Sequence, residues 1–233
     1  QTKFRNELRA KSGVMRGREF LMKDLYSFAR DEAEHQRLYD LIKETYLKVY
    51  ERLGIGESTY LTFASGGMFA KYSHEFQTVC DAGEDIIYID EEKRLAINEE
   101  VFNDEVLTEL GVDKSKVIQK KAAEVGNIFT LGEKYSAPLE LTYTDETGVE
   151  HNVFMGSYGI GPSRLVGVIA ELTGDDAGLC WPAQIAPYLV QLVSLGGDEL
   201  VTAEAQRVYE DLRSVGISVI WDDRDASAGE KFA

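Results

Sequence analysis

Positive charge, cysteine and histidine are all scarce in this chain. Its 233 residues carry 25 Lys and Arg against 41 Asp and Glu, a formal net charge of −16. Proteins that hold nucleic acid by its backbone neutralise phosphates with Lys and Arg, and the overall balance argues against that mode. The two cysteines, Cys80 and Cys180, lie far apart without metal-ligand spacing. They read as reduced, buried thiols of a cytosolic protein. The three histidines do not cluster, so no zinc site is expected. No apolar run approaches the roughly 20 residues of a membrane-spanning helix, and no basic-then-apolar leader opens the sequence, so the expectation is a soluble, cytoplasmic protein with no membrane partner. With 44% hydrophobic residues the chain can bury a full core, enough for one large domain and part of another.

The charge is unevenly placed. Residues 1–24 carry Lys3, Arg5, Arg9, Lys11, Arg16, Arg18 and Lys23 against Glu7, Glu19 and Asp24, a local excess of +4. Residues 81–110 hold many carboxylates against Lys93 and Arg94 alone, and are expected to face solvent.

Along the chain, Asp31-Glu32-Ala33-Glu34 reads as a helix N-cap with a carboxylate three residues on. Leu38, Leu41, Ile42, Thr45, Tyr46, Val49 and Leu53 then recur at helical spacing, and Gly54 ends the run. This is expected to be a scaffold helix with those residues facing the core and His35 on its solvated surface. A strand, the turn Ser65-Gly66-Gly67-Met68 and a second strand follow over 58–77, and residues 78–123 read as a small connecting subdomain. Strands are expected over 124–131, 139–144 and 152–156, the last two joined by the turn Asp145-Glu146-Thr147-Gly148. A helix runs from there to about residue 172. Two prolines bracket a boundary near 181–187. Beyond it, 188–195 reads as a strand, 198–215 as a helix and 217–221 as a strand.

Chemistry concentrates at two places. The first is Thr2-Lys3-Phe4-Arg5-Asn6-Glu7 with Arg16-Gly17-Arg18-Glu19-Phe20-Leu21-Met22-Lys23-Asp24, read as two strands joined by a turn. Arginines, a carboxylate and a ring are the set that clamps phosphates, accepts from an exocyclic amine and stacks on a purine. The second is Gly156-Ser157-Tyr158-Gly159-Ile160-Gly161-Pro162-Ser163-Arg164, a strand ending in closely spaced glycines from which an arginine opens an apolar helix. A dinucleotide-binding loop is the competing reading of those glycines, but no βαβ pattern precedes them.

The two segments resemble motifs 2 and 3 of the class II aminoacyl-tRNA synthetases. Tyr72-Ser73-His74-Glu75-Phe76-Gln77, Glu124-Val125-Gly126-Asn127-Ile128-Phe129 and Trp181-Pro182-Ala183-Gln184-Ile185-Ala186-Pro187 narrow the resemblance to prolyl-tRNA synthetases of the bacterial and mitochondrial kind. The implied fold is α/β in the broad sense: an α+β catalytic domain (residues 1–182) with a class II antiparallel sheet flanked by helices, then the start of an α/β anticodon-binding domain (187–233). The implied reaction joins L-proline and ATP to prolyl-adenylate and passes the prolyl group to tRNA(Pro). The resemblance also implies that the motif 1 region and the proline-gripping loop lie upstream of Gln1, and that the full-length protein is a homodimer.

For site residues, the resemblance implies Arg5 on the α-phosphate and the attacking carboxylate, and Glu7 on the adenine amine or the motif 2 loop. It implies Phe20 stacked on adenine, Arg16 at the γ-phosphate, and Arg164 on the other adenine face or the γ-phosphate. Thr130 and Gly161 complete the ATP site, with Mg²⁺ held mainly by phosphate oxygens and no named protein ligand. Asp24 either braces the hairpin or touches ligand. His74, Glu75, Phe76, Tyr135 and Ser157 form the proline pocket and its rim. The chain departs from the family pattern at Thr130, where Gln is usual, at Glu133, where Thr is usual, and at Ser157, often cysteine. Only residues 78–123 stand where many relatives carry an editing insertion, so no editing in cis is expected. Glycine, threonine or histidine as substrate, and a non-catalytic paralogue, are the competing readings.

Overall fold

The computed structural model describes residues 1–8, 10–67 and 71–232. The Arg9 and Met68 positions named above lie outside the described residues. In chain order the strands and helices are β1 (Thr2–Phe4), β2 (Glu19–Leu21), β3 (Lys23–Ala29), α1 (Glu32–Arg52), β4 (Thr59–Ser65), β5 (Tyr72–Val79), β6 (Asp85–Asp90), β7 (Leu95–Asn98) and α2 (Asp104–Leu110). They continue with β8 (Ile118–Gly132), β9 (Thr142–Thr144), β10 (Glu150–Asn152), β11 (Phe154–Ile160), α3 (Pro162–Thr173), β12 (Val190–Val193), α4 (Glu199–Ser214), β13 (Val219–Asp222) and α5 (Ala228–Lys231). The chain divides into two compact units, Gln1–Cys180 and Trp181–Ala233.

In the first unit the central sheet runs β3-β11-β8-β5-β4-β7-β6, all antiparallel except the parallel pair β4 and β7. Strand β6 also pairs with the first residues of β8, so the five strands from β8 to β6 close on themselves. Residues 78–123 therefore build β6, β7 and α2 into the sheet system and its core. Their apolar residues do this: Ile87, Ile89, Ala96, Ile97 and Val106 are fully buried.

Helix α1 begins where its cap predicts, with the Asp31 side chain accepting from the Glu34 amide. Its buried stripe is His35, Tyr39, Tyr46 and Tyr50, while Leu41 is exposed. The expected leucine-rich stripe is thus rotated, and His35, expected on the surface, is 1% exposed. The physical reason is that these rings bury large apolar area while most of their polar atoms find partners, Tyr50 Oη and His35 Nδ1 being the exceptions. Tyr39 Oη pairs with His74 Nδ1, Tyr46 Oη with Lys23 Nζ, and His35 Nε2 with Thr130 Oγ1. Phe76 fills the gap between the Tyr46 and Tyr50 rings at 5.2 and 5.3 Å.

Of the cysteines, Cys80 is buried and Cys180 exposed, the latter against the expectation. It sits beside the Asp175 carboxylate in an open turn, where no apolar layer covers it.

The second unit has β12 and β13 parallel, joined by α4, which Asp198 caps. Its α5 starts with a reciprocal Ser227–Glu230 capping box. No helix among the described residues is long and apolar enough to cross a membrane.

Candidate active site

The hairpin of β1 and β2 is registered Lys3 opposite Phe20, and Met22 separates it from edge strand β3. Its loop contains a short 3-10 turn, Gly13–Met15, that packs on α3. Gly167 makes this possible, because a Cβ there would stand 2.6 Å from Met15 Cγ. Two bonds tie hairpin to helix: the Leu21 amide donates to Ser163 Oγ at 2.9 Å, and Arg164 Nε donates to the Met15 carbonyl at 3.0 Å.

Between the hairpin, α3 and the outward faces of β8 and β11 lies a cavity of about 430 Å³. Arg5, Glu7, Arg16, Phe20, Asp24, Asn127, Phe129, Ser157, Gly159, Gly161 and Arg164 are among its walls. The Arg5 guanidinium lies over the Phe20 ring, 5.2 Å from its centroid. Arg164 Nη1 donates to the Glu124 carbonyl at 2.6 Å. Glu7 Oε2 accepts from Arg16 Nε at 3.0 Å, and the Glu7 carbonyl accepts from Arg18 Nε at 2.9 Å. Glu7 is thus bonded to residues of the hairpin loop through both its side chain and its carbonyl. Asp24 braces the hairpin through Lys3, 2.8 Å away, which with the Gln1 amide holds its carboxyl below the usual range.

A second cavity of about 180 Å³ shares Arg5, Met15, Arg16, Glu124 and Arg164 with the first and adds Glu75, Glu84, Asp85, Asn98 and Glu100. Glu75 Oε2 accepts from Gln77 Nε2 at 2.8 Å and from Asn98 Nδ2 at 3.1 Å. Asn127 Nδ2 reaches Glu75 Oε1 at 3.4 Å and Glu124 Oε1 at 3.0 Å, bridging the two carboxylates. Burial, reinforced by the Glu124 charge, holds the Glu75 carboxyl well above its ordinary range, against the pull of those amide donors. Burial also raises Glu124, while Arg164 and Asn127 pull it down.

The sites implied by sequence thus separate into two groups. Arg5, Glu7, Arg16, Phe20, Gly161, Arg164 and Ser157 meet at the larger cavity, and Glu75 opens on the smaller. His74 and Phe76 alternate with Glu75 along β5 and so point to the other face, into the layer under α1. Phe76 is fully buried there, and burial pushes the His74 imidazole down to about 4. Thr130 turns the same way, bonded to His35. Tyr135 sits in the turn after β8, outside both sets of cavity walls. Glu133 turns outward to Asn152 Nδ2 at 2.9 Å, which removes the conflict an acidic group beside a polyanion would create.

Three carboxylates of the smaller cavity escaped the sequence reading. Glu84, Asp85 and Glu100, from the acidic stretch expected to face solvent, line the smaller cavity instead, because β6 and β7 carry them back to the sheet. Asn98, the polar end of the apolar run Leu95-Ala96-Ile97, was the one local signal for a functional position there. Lys23 is half-buried, donating to the Tyr158 carbonyl at 3.1 Å and lying over the Tyr46 ring, and burial lowers its pKa.

Residues 1–173 match the family described as tRNA synthetase class II core domain (G, H, P, S and T). Among curated relatives, the whole chain is 38% identical to a proline–tRNA ligase of Phenylobacterium zucineum and 37% identical to one of Rickettsia akari, spanning 58% of each. Among solved structures, a prolyl-tRNA synthetase of Cryptosporidium parvum complexed with L-proline and AMP superposes on the whole chain and 41% of its own, with a TM-score of 0.74 at 20% identity.

Proposed function

Since this chain belongs to the class II tRNA synthetase core-domain family (G, H, P, S and T), we propose that it is the activating core of a proline–tRNA ligase. In this reading it joins L-proline to ATP as prolyl-adenylate, releasing pyrophosphate, and passes the prolyl group to the terminal ribose of tRNA(Pro). The observation that carries the reading is the convergence of Arg5, Arg16 and Arg164 with Phe20, Gly159 and Gly161 on one cavity.

Neither step needs a protein nucleophile. The proline carboxylate attacks the α-phosphorus, and the chain contributes position and positive charge where negative charge develops. Arg5, which lines both cavities and lies over Phe20, is assigned the α-phosphate in the larger one and the carboxylate at the boundary of the smaller. Phe20, backed by Arg5, offers a face to adenine, while Arg16 and Arg164 serve the outer phosphates. Glu75, whose carboxyl opens on a cavity that also borders Arg5, receives the secondary ammonium of proline, a cation that favours its charged form, and Ser157 stands on the rim.

Mg²⁺ accompanies the triphosphate and supplies charge neutralisation to its oxygens. Among the described residues no three His, Cys, Asp or Glu side chains converge on one point. Glu124, a wall of both cavities, is the carboxylate best placed to complete its shell.

The chain spans 58% of the length of the relatives named above. Recognition of tRNA(Pro), homodimer formation and cytoplasmic residence belong to the same proposal, with the β12–α4–β13 unit as the start of an anticodon-binding domain. The same proposal assigns no editing activity to the segment between β5 and β8, which holds β6, β7 and α2.

The test is binding of non-hydrolysable aminoacyl-adenylate analogues to the purified chain. The proline analogue is expected to bind at least tenfold tighter than the glycine, threonine, serine or histidine analogues. Preference for another of these would replace proline, and no binding by any would favour a non-catalytic paralogue.

A further inference from the structure

Glu84 stands on a short, firmly seated loop between β5 and β6. The loop is pinned by Gly83, whose missing side chain lets it lie against the main chain of Ala122 in β8, where a Cβ would collide with the carbonyl group. The Gly83 amide also donates to the Cys80 carbonyl at 3.1 Å. The Glu84 carboxylate thus has a fixed base.

Both of its oxygens face cations from the loop between β1 and β2. Glu84 Oε2 is 2.5 Å from Arg16 Nη1, and Oε1 is 3.2 Å from Lys11 Nζ. The Lys11 amide donates to the Arg16 carbonyl at 3.2 Å, which brings the two cations to the same end of that loop. Arg16 Nε is at the same time 3.0 Å from Glu7 Oε2. Its guanidinium, which lines both cavities, therefore sits between two carboxylates. A polyanion entering the larger cavity meets a cation whose charge is already answered twice.

We propose that Glu84 is a latch that competes with the phosphates of the nucleotide for Arg16, so that triphosphate binding transfers the guanidinium from Glu84 to a phosphate oxygen and releases the loop between β1 and β2. The inference rests on the nucleotide reading of the larger cavity and adds a positioning residue from the segment 78–123, to which the sequence assigned no chemistry.

The balance favours the phosphate. The Arg16 and Glu84 side chains are 41% and 26% exposed, so water and salt weaken their pair, whereas a charge-assisted fork on phosphate is among the stronger protein hydrogen bonds. Neutralising Glu84 removes the competitor and its repulsion of the incoming polyanion together. A scaffold role has the opposite signature, since an anchor that pre-aligned Arg16 would make nucleotide binding weaker when lost.

The experiment is a double-mutant cycle on the full chain, reading the dissociation constant of MgATP by calorimetry for wild type, Glu84→Gln, Arg16→Gln and the double variant, with Arg5→Ala alongside. Glu84→Gln is expected to bind MgATP about threefold to fivefold tighter at low salt. That gain shrinks at about 0.5 M salt, which screens the repulsion between Glu84 and the polyanion and weakens the exposed Glu84–Arg16 pair, and it disappears in the Arg16→Gln background. Equal or weaker binding by Glu84→Gln, or the same gain without Arg16, overturns the latch. If wild type binds MgATP and Arg5→Ala does not, while Glu84→Gln behaves as wild type, the latch alone fails. If wild type binds none, the nucleotide reading fails and the latch with it.

Discussion

His74 Nδ1 and Tyr39 Oη are 2.8 Å apart beneath α1, on the face of β5 opposite to Glu75. The imidazole is neutral there, and burial places its pKa at about 4 against about 6.5 in an unfolded chain. A group whose folded pKa is depressed lends stability that is present above the unfolded value and lost as pH falls toward the folded one. Stability is therefore expected to fall between about pH 6.5 and pH 4, by up to about 3 kcal/mol from this residue. Urea unfolding of His74→Gln is expected to show a smaller loss over that window than wild type, and an identical slope would assign the acid sensitivity elsewhere.

Phe76 behaves as core. Truncation to alanine empties the space between Tyr46 and Tyr50 and is expected to cost about 3–5 kcal/mol in chemical denaturation. Full stability with a raised KM for the amino acid would restore it to the pocket wall.

Glu75→Gln keeps the volume and removes the charge. Amino-acid affinity is expected to drop at least tenfold with the MgATP dissociation constant unchanged, because the carboxylate opens on the smaller cavity and not on the larger. Equal losses for both substrates would mean that the change had disturbed the Asn127 bridge to Glu124 instead.

Gly167 tests the seat of the hairpin loop. Valine there must displace the Gly13–Met15 turn that precedes Arg16, and is expected to weaken MgATP binding by about tenfold without unfolding α3. Nucleotide affinity unchanged from wild type would show that the turn is not needed to place Arg16.

What was legible in the sequence was local. The Asp31 cap, the Gly54 stop, the Asp145 turn and the strand-to-helix passage at Gly161–Arg164 each depend on neighbours along the chain, and each is found. The side of a strand is different. Period-2 alternation separates Glu75 from His74 and Phe76 without saying which faces the ligand, and a central strand covered on both faces gives no polarity contrast to decide it. His35 and Tyr39 in the buried stripe of α1 were missed for a related reason, since they become core residues through Thr130 and His74, partners far away in sequence. Glu84 and Asp85 looked solvated because nothing local reveals that β6 returns to β8.

The most direct test of the account is proline-dependent exchange of pyrophosphate into ATP by the full-length protein, with Arg5→Ala beside it. The account predicts exchange with proline and not with glycine, threonine, serine or histidine, falling by about two to three powers of ten without Arg5. Exchange that persists in Arg5→Ala, or that follows another amino acid, would contradict it.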